Sequence, residues 1–223
     1  MDVLARIDQA RRACNVLEHP FYQRWSAGEL SAEELGFYAG EYRHAVVALA
    51  EASEVLAAKA QPEHRAGLER HAAEERSHVA LWDEFAGAAA PEERSECIAA
   101  REPLGETDRC ARAWTAGDNA LEHLAVLYAI EASQPEIAQT KLEGLLERYG
   151  YSPEGPAVEY FQLHATLDVE HARQARELIA ELMSQDEAQA QASAERMVAR
   201  ATAALQGNWE LLDGVEARFS KAA

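Results

Sequence analysis

A chain of 223 residues with 39 acidic against 21 basic side chains and a net charge of −18 is long enough to bury a full hydrophobic core, and too acidic to bind a phosphate backbone. Three cysteines (Cys14, Cys97 and Cys110), an odd number without paired spacing, argue against a disulfide framework and for a reduced, cytoplasmic protein. The N-terminus carries no charged-then-apolar leader, and no apolar run approaches the ~18 residues that span a bilayer, so neither nucleic acid nor membrane is an expected partner.

Ala, Leu, Glu and Arg dominate, and apolar positions recur every three to four residues, which predicts an all-α chain. A first helix is expected over about residues 3–18, stopped before His19-Pro20 because the residue ahead of a proline avoids the helical region. Phe21-Tyr22-Gln23-Arg24-Trp25 follows as a compact aromatic segment, then Gly28. Ser31 with Glu34 makes a capping box that opens a helix to about Ala60, halted by Gln61-Pro62. The next helix, about Glu63 to Ala89, holds His64, His71, Glu74, Glu75 and His78, and Pro91 restarts a short helix that ends before Pro103-Leu104-Gly105. A helix from about Thr107 to Ser133 contains the apolar run Leu124 to Ile130 and finishes at Glu131. Pro135 marks a kink or restart, another helix reaches Tyr149, and Gly150 to Pro156 is the clearest loop. The absence of Gly and Pro from Ala157 to Met183 predicts a long helix. A final one, about Asp186 to Phe219, places Met197, Val198, Ala201, Leu205, Trp209, Leu212 and Phe219 on one packing face.

The long helix carries the chemistry. His164, Asp168 and His171 stand at i, i+4 and i+7, within roughly 60° of one another on the helix wheel. They sit at the edge of an apolar stripe, where unpaired charge is costly and a cation is the simplest partner. A dinuclear iron or manganese site is built from carboxylates and imidazoles projecting inward from several helices, often as a carboxylate followed three residues later by His. Glu75/His78 and Asp168/His171 both have that spacing, and Glu131, closing an apolar helix, is a natural bridging carboxylate. The expected ligands are Glu75, His78, Glu131, His164, Asp168 and His171, with Glu74 as a competitor to Glu75. His71, one heptad before His78, is read as a supporting partner rather than a ligand. His19, His64 and His123 are read as a turn histidine and two surface ones, and Glu41/His44, which has the same spacing, as a solvated pair or one that supports the ligands from behind.

These residues resemble a known family, the heme-oxygenase-like dimetal oxidases and oxygenases, whose fold is shared with the TenA and PqqC proteins. Within it the likeness is to the CADD-type p-aminobenzoate synthases and covers nearly the whole chain. Leu17-Glu18-His19-Pro20-Phe21-Tyr22, Trp25 and Gly28-Glu29-Leu30 match the family's opening. Leu127-Tyr128 with Glu131, Ser133 and Lys141 match its central helices, and Phe161 to His164 with Asp168 to Arg173 its metal helix. The resemblance implies one heme-oxygenase-like domain over residues 1–223, a bundle of seven to eight helices. It also implies an Fe/Fe or Mn/Fe centre that uses O₂ and an external reductant. Tyr22 would give the aromatic ring and Lys141 the amine in a self-sacrificing synthesis that feeds folate, with Tyr128 and Tyr160 close by. Two departures stand out: the family separates its first glutamate from the following His by a longer insert, and Ile130 occupies the place of a tyrosine before the central glutamate.

The competing expectations are a multiple-turnover oxidase or N-oxygenase acting on a small external amino acid or fatty acid, and a non-catalytic interaction protein. Thiamine-salvage hydrolysis of the TenA kind is disfavoured, because the three cysteines lack the expected setting. Alanine-rich helical faces make a homodimer the expected assembly.

Overall fold

In the computed structural model, which describes residues 2–92, 101–185 and 190–220, the described residues form helices joined by short turns, with no strand among them. Helix α1 (Val3–Ala13) ends five residues earlier than the periodicity suggests. Asn15 accepts a hydrogen bond from the Leu17 N–H and winds Val16–Glu18 into a single 3₁₀ turn instead. The aromatic segment is itself a helix, α2 (Pro20–Ala27). Pro20 at its first position lacks the N–H that would go unpaired there, and the His19 ring accepts from the Phe21 N–H. Gly28, at φ 75°, closes it in a left-handed conformation that other residues rarely adopt. The capping box at Ser31 and Glu34 is present and starts α3 (Ala32–Lys59), and α4 (Pro62–Ala89) follows across Gln61.

The expected helix from Thr107 to Ser133 is two. Helix α5 (Gly105–Thr115) stops at Ala116, and α6 (Ala120–Glu131) restarts at Asn119, whose side chain accepts from the Glu122 N–H. Gly117 lies against the His123 ring, 2.9 Å from where a Cβ would stand, so Gly117-Asp118-Asn119 is a turn that the apolar run beyond it concealed. Helices α7 (Gln134–Glu147), α8 (Glu159–Ser184) and α9 (Ala190–Ser220) complete the described chain. The short helix expected after Pro91, Cys97, and the start of the last expected segment at Asp186 fall wholly or mostly outside the described residues.

Helix α6 is buried on every face from Glu122 to Glu131, as a helix apolar all round must be. α9, α8 and α3 pack around it, while α3 pairs with α4 along their length and α7 lies against α8. Its last residue, Glu131, therefore ends inside the core and not at the surface. Glu122, at the other end, is equally buried, but there Arg196 and Arg200 of α9 reach in to pair with it.

Helix α2 fits onto α7 because Gly144 has no side chain. A Cβ there would stand 2.6 Å from the Trp25 ring, whose Nε1 donates to the Lys141 carbonyl at 3.1 Å. Gly144→Ala is expected to lower stability by about 1–3 kcal/mol, since both the indole and the α7 backbone are locked in place. Denaturant melts of the two proteins check this.

Candidate metal centre

Three helices aim donors at one buried region: α4 brings His71, Glu75 and His78, α6 brings Glu131, and α8 brings His164, Asp168 and His171. Glu75 Oε1 is 3.2 Å from His78 Nδ1, 3.8 Å from His71 Nε2 and 3.7 Å from His171 Nδ1. His71 Nε2 stands 2.9 Å from Glu131 Oε1. Asp168 shares a hydrogen bond of 2.8 Å with His164 Nδ1 and turns its other oxygen to within 3.6 Å of His171 Nδ1. Donor atoms of His71, Glu75, Glu131 and His171 lie within 4.8 Å of one another, as do those of Glu75, His78 and His164.

Most of these atoms have no hydrogen-bond partner among the described residues: His71 Nε2, Glu75 Oε1, His78 Nδ1, both Glu131 oxygens, His164 Nε2, Asp168 Oδ1 and His171 Nδ1. Buried polar atoms left unpaired are costly, and so many turned toward one another fit a bound cation. Burial raises the Glu131 carboxyl above its usual range despite the neighbouring His71, and the carboxylate also lies at the negative end of α6. Burial opposes ionisation of Glu75 and Asp168 too, but the surrounding imidazoles outweigh it and hold both low. The same carboxylates overcome the burial of His171 and raise it to about 9. Nitrogen and carboxylate oxygen without thiolate suit iron or manganese.

A second buried cluster adjoins this one. Lys141 Nζ, on α7, sits 4.4 Å from the ring centre of Tyr42, 5.2 Å from Tyr22, 5.5 Å from Tyr38 and 5.6 Å from Trp82. Among the described residues it has no ion pair and no hydrogen bond, and burial pulls its pKa down to about 7. The Tyr22 hydroxyl shares a 2.9 Å hydrogen bond with that of Tyr38. Trp82 stacks edge-on to Tyr160 at 4.9 Å, and Tyr160 lies 4.2 Å from the His164 ring, so an unbroken line of rings joins the amine to the donors.

Not every expected residue is here. The Tyr128 hydroxyl points to Asp8 and Arg176, so this ring does not join the aromatic line. Glu74 is half-exposed and touches the far nitrogen of His171 at 3.3 Å, whereas Glu75 is buried among the donors. His71, read as a supporting residue, lies among the donors. The heptad that separates it from His78 was the signal. His123 is buried beside Lys59 rather than on the surface, and Glu41 is buried at the start of α5, bonded to the Leu104 N–H and the Thr107 hydroxyl. Ile130 is buried in the core next to Glu131.

The sequence pattern of the iron-containing redox enzymes matches residues 43–206. A 4-aminobenzoate synthase of Chlamydia muridarum is 34% identical over 208 residues, covering 89% of this chain and 86% of that one. The 4-aminobenzoate synthase of Chlamydia trachomatis serovar D is also 34% identical, over 198 residues and 83% of each chain. Among solved structures, a Shewanella denitrificans domain of unknown function with a heme oxygenase-like fold superposes with a TM-score of 0.78 at 17% identity, covering 99% of this chain and 94% of that one.

Anaerobic iron(II) is expected to raise the melting temperature, with a stabilisation of about 2.7 kcal/mol once free metal exceeds the dissociation constant a hundredfold. Glu131→Ala and His164→Ala should each lose bound metal by elemental analysis. Ligation displaces the His171 proton, so apparent affinity should strengthen as pH rises toward about 9 and weaken below it, which a metal titration at several pH values checks.

Proposed function

This chain belongs to the heme-oxygenase-like family of iron-containing redox enzymes, and on that premise we propose that it is an oxygen-dependent 4-aminobenzoate synthase that consumes its own side chains. Tyr22 supplies the ring and Lys141 the amine. The observation that carries this reading is the seating of Lys141 Nζ 5.2 Å from the centre of the Tyr22 ring, both fully buried, in a box joined to the candidate ligands through Tyr160. The similarity to synthases of that product supports it. When bound by Glu75, His78, Glu131, His164, Asp168 and His171, an Fe/Fe or Mn/Fe pair supplies O₂ activation with electrons from an external reductant.

The protein's own part follows from burial. With its pKa near 7, a large share of Lys141 carries a free lone pair at neutral pH, as an amine that is to form a bond to carbon must. Burial holds the Tyr22 phenol well above its ordinary pKa, so it stays protonated, and the hydrogen bond with Tyr38 fixes its orientation. The aromatic walls exclude water from both groups. A lysine buried without a counter-charge contributes nothing evident to stability, which is the pattern of a residue retained for chemistry.

A second reading, oxidation of a small external substrate, is favoured by one feature. A cleft of about 310 Å³, walled by Leu56, Leu68, Leu124 and Leu178, opens from the surface onto His71 and Glu131.

Iron-loaded protein given O₂ and reductant should yield at most one 4-aminobenzoate per chain, with intact-mass spectrometry recording the mass lost and peptide mapping placing it at Tyr22. Repeated turnover on an intact chain would instead establish the external-substrate reading. Tyr22→Phe should abolish product while keeping its metal. Lys141→Met should also abolish product, yet melt higher at pH 7, by about 1 kcal/mol or more, because it removes a desolvated amine. The folded-state pKa lies below the ordinary 10.5, so the penalty is full below pH 7 and fades as pH rises between the two values. The gap between the two melting temperatures should close over that range.

A further inference from the structure

Helices α4 and α8 carry the same triplet. His71-x3-Glu75-x2-His78 on one is matched by His164-x3-Asp168-x2-His171 on the other, a carboxylate flanked by imidazoles one turn before and nearly one turn after. In space the triplets meet crosswise. The His71 ring stacks on His171 at 4.2 Å, and the His78 ring meets His164 edge-on at 4.7 Å, with Glu75 and Asp168 between the two pairs. His71 thus occupies on α4 the place that His164 occupies on α8.

We propose that His71 is a metal ligand in its own right, and that the two ions are held in unequal sets joined by Glu75: His71, His171 and Glu131 on one side, His78 and His164 on the other. The proposal rests on the dimetal reading above. Glu75 is the one residue common to both groups of converging donors, so it, and not Glu131, is placed to be shared. Glu131 approaches His71 at 2.9 Å and converges with His71, Glu75 and His171, while His78 and His164 converge with Glu75 in the other group. Among the described residues, His71 Nε2 is buried with only carboxylate oxygens facing it and no well-aligned hydrogen bond, and the donor nitrogens of His78, His164 and His171 likewise lack one. A histidine kept only for packing would not aim that nitrogen at two buried carboxylates, Glu131 at 2.9 Å and Glu75 at 3.8 Å. The two sides also differ in access. The leucine-walled cleft ends on His71 and Glu131, while His164 lies beneath Tyr160 and Trp82. The ion on the His71 side is therefore the one that a chelator reaches first.

The test is metal stoichiometry of the full chain loaded anaerobically with iron(II) and desalted, read by elemental analysis and by Mössbauer spectroscopy. Wild type is expected to hold two irons in two distinct environments. His71→Leu should hold about one, with the signal of the other site retained, and His71→Glu, which restores a donor of similar reach, should return to two. His78→Leu should lose the opposite signal. Two irons per chain in His71→Leu, with both signals unchanged, would overturn the role given to His71 while leaving the dimetal centre intact. No iron in wild type would overturn both. If the leucine variant does not fold, His71→Gln decides: it keeps size and hydrogen bonding with a weak donor, and one iron supports the assignment while two refute it.

Discussion

The desolvation of unpaired donors governs this molecule. Eight side-chain nitrogen and oxygen atoms from α4, α6 and α8 face one another in the core without a hydrogen bond among the described residues. Each such atom costs on the order of 1–3 kcal/mol when buried alone. The packed helices around these atoms bear that cost, which a bound cation would offset. Helix α6 shows the constraint most plainly. Its apolar circumference forces it into the centre, and that burial carries Glu131 to where the imidazole of His71 is its ion-pair partner among the described residues, in contrast to Glu122 at its other end, which pairs with two arginines.

The Lys141 box repeats the principle with opposite sign. A lone ammonium is held among aromatic faces whose quadrupoles offset part of the lost hydration, and the remainder appears as a depressed pKa. Two features that each oppose stability share a wall made by Tyr160 and Trp82. Such local conflicts concentrated in one region of an otherwise consistent fold are where function is to be sought.

What could be seen in the sequence was local in origin. The i, i+4, i+7 spacing on α8, the capping box at Ser31 and the restart at Pro135 follow from helical geometry and backbone hydrogen bonding within a turn. What stayed hidden depended on tertiary placement. Tyr128 is three residues before Glu131, yet its hydroxyl leans toward Asp8 and Arg176, partners that no local pattern announces. Lys141, among Gln139, Glu143 and Glu147, has the surroundings of a solvated helix residue, and only the rings of Tyr22, Tyr38, Tyr42 and Trp82, brought from other helices, enclose its side chain. His71 lay between these cases. Its spacing from His78 was visible, but the choice between support and ligation turns on which carboxylates its nitrogen faces across the core.

The burial of Tyr22 bears on the lifetime of the molecule. Its ring is wedged among Phe21, Trp25 and Tyr38 at the point where α2 meets α3. On the proposed reading, a chain that had given up that ring would keep a void in its place, and truncating a large aromatic side chain in a packed core costs about 3–5 kcal/mol, a large part of a typical domain's margin. Reacted copies would open more often than fresh ones and be the first that cellular proteases degrade. Chemistry and disposal would then be linked through packing alone, with the age of each molecule recorded as a missing ring.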